Sequence, residues 1–458
     1  MLIHNAAVVT WGKENAVLPN HAVYIEKNLI VAIGPDADLL KEYPDTEKLD
    51  ADGQILMPGN ICAHTHFYGA YARGLAIPGP APKDFPEILK RLWWPLDKAL
   101  DEKSVRASAL VHLVDAIKCG TTTLFDHHAS PNFIDGSLDV IAEAVTETGL
   151  RAVLCYEVTD RDGDAKAKAG IRENIRFIER TGKREIAGGR LAALFGLHAS
   201  LTLSDETLDA CRAALPNDSG FHIHVAEHEA DQEDSLAKSR LRVVPRLLKH
   251  GILTPGSIAA HAVHVDAAEI AMLAESGAWV SHQPRSNMNN GVGAADIEAL
   301  MAARVKVVLG NDGFTQDMWA EWKAAYLLHK VWHRDPRKTN GADLAAIASG
   351  NNAALAAQSF PSAPIGEISV GARADLILVD YHPFTPLTAG NFPWHIIFGF
   401  QERMVTMTMV NGKFLMRERK LLHLDEGEIA AKALELAPEV WARYAEFAQA
   451  PLNEEKIG

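Results

Sequence analysis

Several features that mark other protein classes are scarce in this sequence of 458 residues. It has only four cysteines and no C-x-x-C pair: Cys62, Cys119, Cys155 and Cys211. This scatter argues against a structural zinc ribbon or a disulfide framework, and it favours a cytoplasmic location. No window comes near the roughly 18 uninterrupted apolar residues that a membrane helix needs. The first residues also lack the continuous apolar stretch of a signal peptide.

Positive charge is scarce as well. The chain has 45 Lys and Arg residues against 59 Asp and Glu residues, which gives a formal net charge of −14. A nucleic acid or an anionic membrane would require a concentrated basic surface, so the sequence predicts neither partner. A neutral or cationic small molecule fits this charge better. Because homodimers are the commonest soluble assemblies, we also expect a homo-oligomer.

The two ends of the chain share a β-rich texture that the middle lacks. Short strand-like runs fill residues 1–57 and return over residues 361–422, where "VNGKF" is typical of a β-hairpin. We therefore expect both ends to build one small β-sandwich. Residues 423–458 are expected to form a helical tail.

The segment 58–360 alternates short β-type runs with longer amphipathic stretches, as a parallel α/β fold does. In "SLDVIAEAVTETG" the apolar positions have helical spacing, and "DAAEIAMLAESG" begins with a capping-box pattern. Eight such runs favour an α/β fold with a (β/α)8 TIM-like barrel. The runs are "ILMPGNICAHTH", "GTTTLFDHH", "RAVLCYEV", "RLAALFGLHAS", "GFHIHVAEHE", "GSIAAHAVH", "GAWVSHQPRSN" and "VKVVLGNDG".

Histidine is abundant, at 20 residues, and polar side chains gather where these runs end. A lone histidine such as His250 or His329 is more often structural than a ligand. Recurrence at one end of seven runs is different, because barrel enzymes build their active sites from the loops after the strands. The third run offers only Glu157 and Asp160. The others carry His64, His66, His127, His128, His198, His222, His224, Glu227, His261, His264, His282, Arg285 and Asp312.

The order of motifs resembles that of a known superfamily. "PGNICAHTH", "GTTTLFDHH", "FHIHVAE", "AHAVH", "SHQPRSNM", "LGNDG" and "GEISVGARADLILVD" follow one another as they do in the amidohydrolase superfamily, in its branch of metal-dependent aminohydrolases and chlorohydrolases. "PRSNMNNGVG" and "NDGFTQDMWAE" are most similar to a subgroup of aminohydrolases that is defined by sequence rather than by a settled substrate. The resemblance covers nearly the whole chain.

This resemblance implies one divalent metal ion, zinc with iron(II) as the alternative, held by His64, His66, His224 and Asp312. It implies that His261 lies against the metal-bound water, that Glu227 shuttles a proton and that Asp312 accepts the proton of the water. Relatives with two metal ions usually carry a modified lysine after the fourth strand. The run "LFGLHAS" has no lysine there, which favours a single ion.

The implied reaction is hydrolytic deamination of an amino-substituted heterocycle such as a purine, pyrimidine, pterin or triazine-like ring. Loss of chloride or an alkylamine from a triazine-like ring, opening of a cyclic amide, and metal binding without catalysis stay open. The steps "HASL" and "PAPKDFPEILKRLWWPLD" depart from nucleoside-specific relatives and favour a free base. Loop residues expected to contact the substrate are Arg73, His128, His198, His282, Arg285 and Asn287.

Overall fold

A computed structural model describes residues 1–182, 188–216 and 219–449. The final part of the predicted helical tail, residues 450–458, lies outside the described residues. Within the described part, no helix combines the length and the apolar character that crossing a membrane would require.

Strands from both ends of the chain form one sheet. Its order is β18-β17-β16-β15-β5-β1-β2-β3, with β4 paired to β1. An antiparallel bridge between Leu29 and Arg373 brings β3 beside the segment that leads into β15, so the sheet curls around its own apolar cluster. The strands are β1 Leu2–Val9, β2 Val17–Glu26, β3 Leu29–Pro35, β4 Lys48–Asp50, β5 Ile55–Pro58, β15 Leu376–Val379, β16 Val405–Val410, β17 Lys413–Arg417 and β18 Lys420–Leu421.

The predicted hairpin joins β16 to β17. Val410 pairs with Lys413, and the two turn residues, Asn411 and Gly412, have φ values of 49° and 71°. Asparagine and glycine tolerate this left-handed backbone better than other residues, which is why the dipeptide marks hairpins.

The middle of the chain forms a ring of parallel strands. The neighbours β6-β7-β8-β9 and β10-β11-β12-β13-β14 pair in parallel. Backbone hydrogen bonds join the two arcs at both junctions: the amide of His198 donates to the carbonyl of Val158 at 2.9 Å, and the amide of His66 donates to the carbonyl of Asp312 at 3.1 Å. These strands are β6 Asn60–Thr65, β7 Thr121–His128, β8 Arg151–Tyr156, β9 Leu191–Ala193, β10 Phe195–Ala199, β11 Phe221–Val225, β12 Ile258–His261, β13 Trp279–His282 and β14 Lys306–Leu309.

Helices surround the barrel strands, and a further helix ends the described part of the chain. The capping box predicted at Asp266 and Glu269 opens α10, and Gly149 ends α5 in a left-handed conformation. The helices are α1 Asp36–Glu42, α2 Phe85–Ile88, α3 Trp94–Ala99, α4 Glu102–Cys119, α5 Ser137–Thr148, α6 Asp164–Gly182, α7 Asp205–Ala214, α8 Glu229–Ser239, α9 Val243–Lys249, α10 Ala267–Ser276, α11 Pro284–Asn290, α12 Ile297–Ala302, α13 Met318–His333, α14 Gly341–Ala345, α15 Asn352–Ser359, α16 Phe392–Gly399 and α17 Glu426–Gln449. Among the described residues there are also π-helical segments at Leu89–Trp93 and Ala346–Asn351, and 3-10 turns at Phe67–Ala72, Ser200–Thr202 and Glu402–Met404.

The last helix, α17, packs beside the segment that follows β6. The indole nitrogen of Trp441 donates to the carbonyl of Tyr71 at 3.0 Å, and the hydroxyl of Tyr444 donates to the carbonyl of Arg91 at 2.6 Å. The C-terminal helix thus supports the loop that follows the first barrel strand.

A buried ion pair joins the small sheet to the barrel. Arg151, at the start of β8, is fully buried, and its Nη2 lies 3.0 Å from Oδ2 of Asp375. The same guanidinium donates to the side-chain oxygen of Asn411 at 2.8 Å, while Oδ1 of Asp375 accepts the amide hydrogen of Asn411 at 2.7 Å. The pair therefore holds β8 against the turn between β16 and β17.

Removing one partner of this pair should destabilise the protein strongly. Asp375→Ala leaves the Arg151 guanidinium buried without its counter-ion, so we expect a loss of about 3–5 kcal/mol in the free energy of unfolding, measured by urea denaturation. Asp335→Ala, which removes the exposed pair to Arg337, is the control and should leave the denaturation midpoint nearly unchanged. Equal midpoints for the two variants would contradict the role given to the buried pair.

Candidate active site

Four side chains converge at the carboxyl end of the barrel strands. His64 and His66 lie at the end of β6, His224 lies on β11, and Asp312 follows β14. Their donor atoms all fall within 4.8 Å of one another. Oδ1 of Asp312 is 2.9 Å from Nε2 of His66 and 3.3 Å from Nε2 of His64, and the Nε2 atoms of His66 and His224 are 3.3 Å apart.

Hydrogen bonds behind the histidines fix which nitrogen faces the centre. The Nδ1–H groups of His66 and His224 donate to backbone carbonyls, at 2.6 Å to His127 and at 2.8 Å to His198. Nδ1 of His64 lies 2.8 Å from Nε2 of His222. With hydrogen on each Nδ1, every Nε2 keeps its lone pair for a cation, an arrangement that orients metal ligands in proteins.

Backbone strain accumulates at the ends of the strands that carry these groups. Asp312, His261 and Ala226 have φ values of 59°, 72° and 47°, a left-handed region that costs non-glycine residues energy. Gly310 allows the chain after β14 to approach β6, since a Cβ atom there would lie 2.7 Å from the carbonyl oxygen of His64. Together these residues hold Asp312 against the two histidines.

The donor set fits a divalent metal ion. Nε2 of His64 is buried and has no hydrogen-bond partner of good geometry, although the carboxylate of Asp312 lies beside it. Burial alone would raise the pKa of Asp312, but the adjacent imidazoles of His64 and His66 outweigh it and hold that pKa well below its usual range. Burial lowers the pKa of His64 to about 3, whereas in His66 contact with the Asp312 carboxylate outweighs burial and raises the pKa to about 9. Imidazole and carboxylate groups are ligands that zinc accepts.

A second pair of titratable groups borders this centre. Oε2 of Glu227 lies 3.5 Å from Nε2 of His261, whose Nδ1–H donates to the side-chain oxygen of Asn287 at 2.8 Å. Burial, and then the charge of Asp312, raise the pKa of Glu227 well above its ordinary value. Burial lowers the pKa of His261. The hydroxyl of Ser286 donates to Oδ2 of Asp312. The arrangement therefore places a protonated carboxyl group beside a neutral imidazole.

A cavity of about 420 Å³ opens onto these groups. It reaches from the four converging donors to the loop after β6 and to the segment containing α2 and α3. Its size suits a small heterocycle. It is lined by His66, Tyr68, Gly69, Ala70, Ala72, Arg73, Phe85, Leu89, Trp93, Trp94, Asp97, His112, Glu157, His198, Ala199, Leu201, His224, Glu227, His228, Asp231, Ser286, Asn289, Asn290, Asp312, Gly313, Phe314 and Thr315.

Comparison with known families and sequences identifies relatives of this chain. The model described as "Amidohydrolase family" matches residues 55–415, which is most of the chain. The chain belongs to the amidohydrolase family. A 5'-deoxyadenosine deaminase of Methanobrevibacter smithii is 33% identical over 422 residues, which cover 90% of this chain and 92% of that protein. A 5-methylthioadenosine/S-adenosylhomocysteine deaminase of Pelotomaculum thermopropionicum is 30% identical. The matched region covers 94% of this amidohydrolase and 97% of that protein.

Among solved structures, an adenosine deaminase from Xanthomonas campestris with bound zinc has a similar fold. It superposes with a TM-score of 0.83 at 25% identity, over 96% of this amidohydrolase and 98% of that chain. The family membership confirms the superfamily and the barrel that the motif order implied. The names of these relatives refer to nucleosides, so the preference for a free base stays a prediction.

Of the six loop residues expected to contact the substrate, two line the cavity and four do not. Arg73 and His198 line the cavity of this amidohydrolase. The other four face elsewhere: His128 bonds to Ser130, His282 to His329, Arg285 to Glu321 and Asn287 to His261. Direct contact of these four with the substrate stays a prediction that the cavity lining does not support.

Two carboxylates of the cavity wall, Glu157 and Asp97, were not among the expected site residues. Glu157 follows the third run, but no motif connected it to the others. Asp97 lies on α3, three residues after Trp94, and the path of that long insertion has no sequence signature. Trp93 and Trp94 also line the cavity.

Proposed function

We propose that this amidohydrolase is a metal-dependent deaminase that replaces an amino group of a heterocycle by oxygen from water. The observation that carries the proposal is the position of Glu227, a carboxyl group of raised pKa that borders His261 and Asp312 beside the cavity. Binding of a metal alone would not need a buried proton donor at this place. The deaminase names of the relatives support the same reaction class.

Different side chains hold the metal ion, orient the attacking water and accept its proton. We propose that His64, His66, His224 and Asp312 hold the ion, which when bound supplies Lewis acidity and a water molecule of lowered pKa. Because Nδ1–H of His261 is engaged by Asn287, its Nε2 lone pair is free to accept a hydrogen bond and orient the attacking water. The carboxylate of Asp312 accepts a proton from that water.

Glu227 delivers the proton that the ring requires. Its raised pKa favours the protonated carboxyl group, which can protonate the ring nitrogen next to the attacked carbon. The new C–O bond forms, and the carbon becomes tetrahedral. The proton that Asp312 took from the water then passes to the amino group, the C–N bond breaks and ammonia leaves. The carbonyl forms as the remaining hydroxyl proton returns to Glu227.

The same centre could serve a reaction that releases chloride or an alkylamine, or one that opens a cyclic amide. These reactions need water at the same carbon, but chloride is expelled without a proton of its own. Protonated Glu227 therefore favours deamination, in which both the ring nitrogen and the leaving group must gain a proton.

An ammonia-release screen of the zinc-loaded protein tests the proposal. The panel consists of amino-substituted purines, pyrimidines, pterins and triazines, with a chloro-triazine and a cyclic amide as the alternatives. We expect ammonia from at least one amino-substituted ring. Turnover of the chloro-triazine or the cyclic amide alone would reject deamination in favour of the corresponding alternative.

Three further properties belong to this proposal. The ion is zinc, because three imidazoles and one carboxylate form the donor set, with iron(II) as the alternative. The chain forms a homodimer, for which the exposed apolar residues Leu327, Val331 and Phe398 offer a surface. The location is cytoplasmic, in keeping with four free, buried cysteines.

A further inference from the structure

Glu157 and Asp97 form one wall of the cavity, and their side chains indicate which kind of substrate can bind there. We infer that this wall binds a ring N–H group other than the amino group that leaves, so that the substrate is a free heterocyclic base with an unsubstituted ring nitrogen. The inference rests on the proposed function for the leaving group, and it concerns only how the ring is recognised.

Glu157 is a buried carboxylate that lines the cavity between two histidines. Its Oε2 lies 3.2 Å from Nδ1 of His127, whose Nε2 is 3.0 Å from the carbonyl oxygen of His222. Burial alone would raise the pKa of Glu157, but the neighbouring His198, His127 and Arg161 outweigh it and hold that pKa well below its usual range. Glu157 is therefore an ionised acceptor.

The second oxygen of Glu157 has only longer contacts. Its Oε1 lies 3.5 Å from Nε2 of His198 and 3.8 Å from Nη2 of Arg161. This oxygen can therefore accept a closer hydrogen bond from a ligand in the cavity.

Asp97 adds an oxygen that no group among the described residues satisfies. The residue is 1% exposed and lines the cavity, and its Oδ1 has no hydrogen-bond partner there. Its Oδ2 accepts from Nη2 of Arg161 at 2.8 Å, and the same nitrogen is 3.8 Å from Oε1 of Glu157. One guanidinium thus serves two carboxylates, and burial raises the pKa of Asp97 to about 7.

A buried acceptor without a donor costs free energy, so a ligand with matching donors gains affinity by supplying them. An adenine nucleoside offers no ring N–H, because the sugar occupies N9 and the remaining ring nitrogens are acceptors. The free base carries an N–H in its five-membered ring. The indole N–H of Trp94, which is buried without a partner, can donate to a ring acceptor of the same ligand.

The hydroxyl groups of a sugar are a second source of donors. They would reach the same carboxylates only if the sugar occupied this wall. The two sources are separable with commercial compounds, since 9-methyladenine lacks both the ring N–H and the sugar, whereas 5'-deoxyadenosine lacks the ring N–H but keeps two hydroxyls.

The test measures binding separately from turnover. Zinc-loaded Glu227→Gln protein is titrated by calorimetry with adenine, guanine, 9-methyladenine, 1,9-dimethylguanine and 5'-deoxyadenosine. The methylated bases have no ring N–H. We expect at least one free base to bind about 10- to 100-fold more tightly than its methylated derivative, as for a hydrogen bond to a charged group. Tightest binding of 5'-deoxyadenosine, or no measurable binding of either base, would overturn the inference.

A double-mutant cycle removes the steric effect of the methyl group. Glu157→Gln keeps the shape of the side chain but replaces the charged acceptor by a neutral amide. Added to the Glu227→Gln protein, it should weaken free-base binding about 10- to 100-fold and leave binding of the methylated bases unchanged. Asp97→Asn should act in the same direction. Equal weakening of both ligands by Glu157→Gln would overturn the inference.

Asp162→Asn is the matched control, because this carboxylate belongs to the same loop but pairs with Lys98 and does not line the cavity. It should preserve every affinity and the zinc content. If the wild-type protein releases no ammonia while the binding pattern holds, the proposed function fails and the recognition stands. If ammonia is released and the pattern is absent, only the inference fails.

Discussion

Glu227→Gln should lower the rate of ammonia release by about 10²- to 10⁴-fold while the bound zinc is retained. Glutamine has the same shape but cannot transfer a proton, and general acid–base catalysis by one side chain is worth about this factor. Burial, and then the charge of Asp312, raise the pKa of Glu227, which favours the protonated carboxyl group that this role requires. The measurement is kcat on the substrate found in the panel, with zinc determined on the same samples.

Glu229→Gln is the control for this prediction. Glu229 lies two residues further along, at the first position of α8, and its side chain is 74% exposed and 3.8 Å from Nδ1 of His264. It should keep wild-type kcat. Wild-type turnover by Glu227→Gln with zinc in place would show that another group carries the proton.

His224→Ala should remove both the metal and the activity. The variant keeps only three of the four ligands. Its zinc content should therefore fall to well under one ion per chain. Without the ion, water regains a pKa near 15.7 instead of about 7, so we expect a fall on the order of 10⁴-fold or more in kcat/KM. Metal analysis after dialysis and steady-state kinetics measure the two effects.

A buried histidine away from the centre provides the comparison. His250 pairs with Asp209 at 2.6 Å and does not line the cavity, so His250→Ala should keep about one zinc per chain. Full activity of His224→Ala in the presence of a chelator would contradict the metal site itself.

The sequence predicted most of the fold because each signal was local. Strand-sized apolar runs, helical spacing in α5 and the capping box of α10 are properties of short segments. Two runs nevertheless divide in the structure. The first splits at Gly59, with β5 in the small sheet and β6 in the barrel, and the fourth splits at Leu194 into β9 and β10. Pairing with distant strands decides where such runs break, and a single run contains no information about its partners.

The helix α16 was not predicted, although its sequence is strongly apolar. The stretch "FPWHIIFG" lies between β15 and β16 and was included in the β-rich segment 361–422. An eight-residue apolar run has no clear period, so a short buried helix and a buried strand look alike. Its packing against α13 and α14 is what makes it helical in this protein.

The residues of the candidate site also differ in how well the sequence alone predicted them. His64, His66, His224 and Asp312 could be located because parallel strands end at one edge, where the barrel gathers their loops. Glu157 follows the third run, but no motif connected it to the other residues, and placing Asp97 required knowledge of how a long insertion folds back over the barrel. Of the six residues expected to contact the substrate, only Arg73 and His198 line the cavity. Arg285 and Asn287 lie on α11, whose orientation depends on its packing and not on the strand before it.

The most direct test of the account is ammonia release by the zinc-loaded protein, compared with the same protein after chelation and after zinc is restored. We predict one ammonia for each amino-substituted ring consumed, loss of that activity on chelation and its recovery with about one zinc per chain. Ring turnover that proceeds without ammonia, or ammonia release that survives complete removal of metal, would contradict metal-dependent deamination.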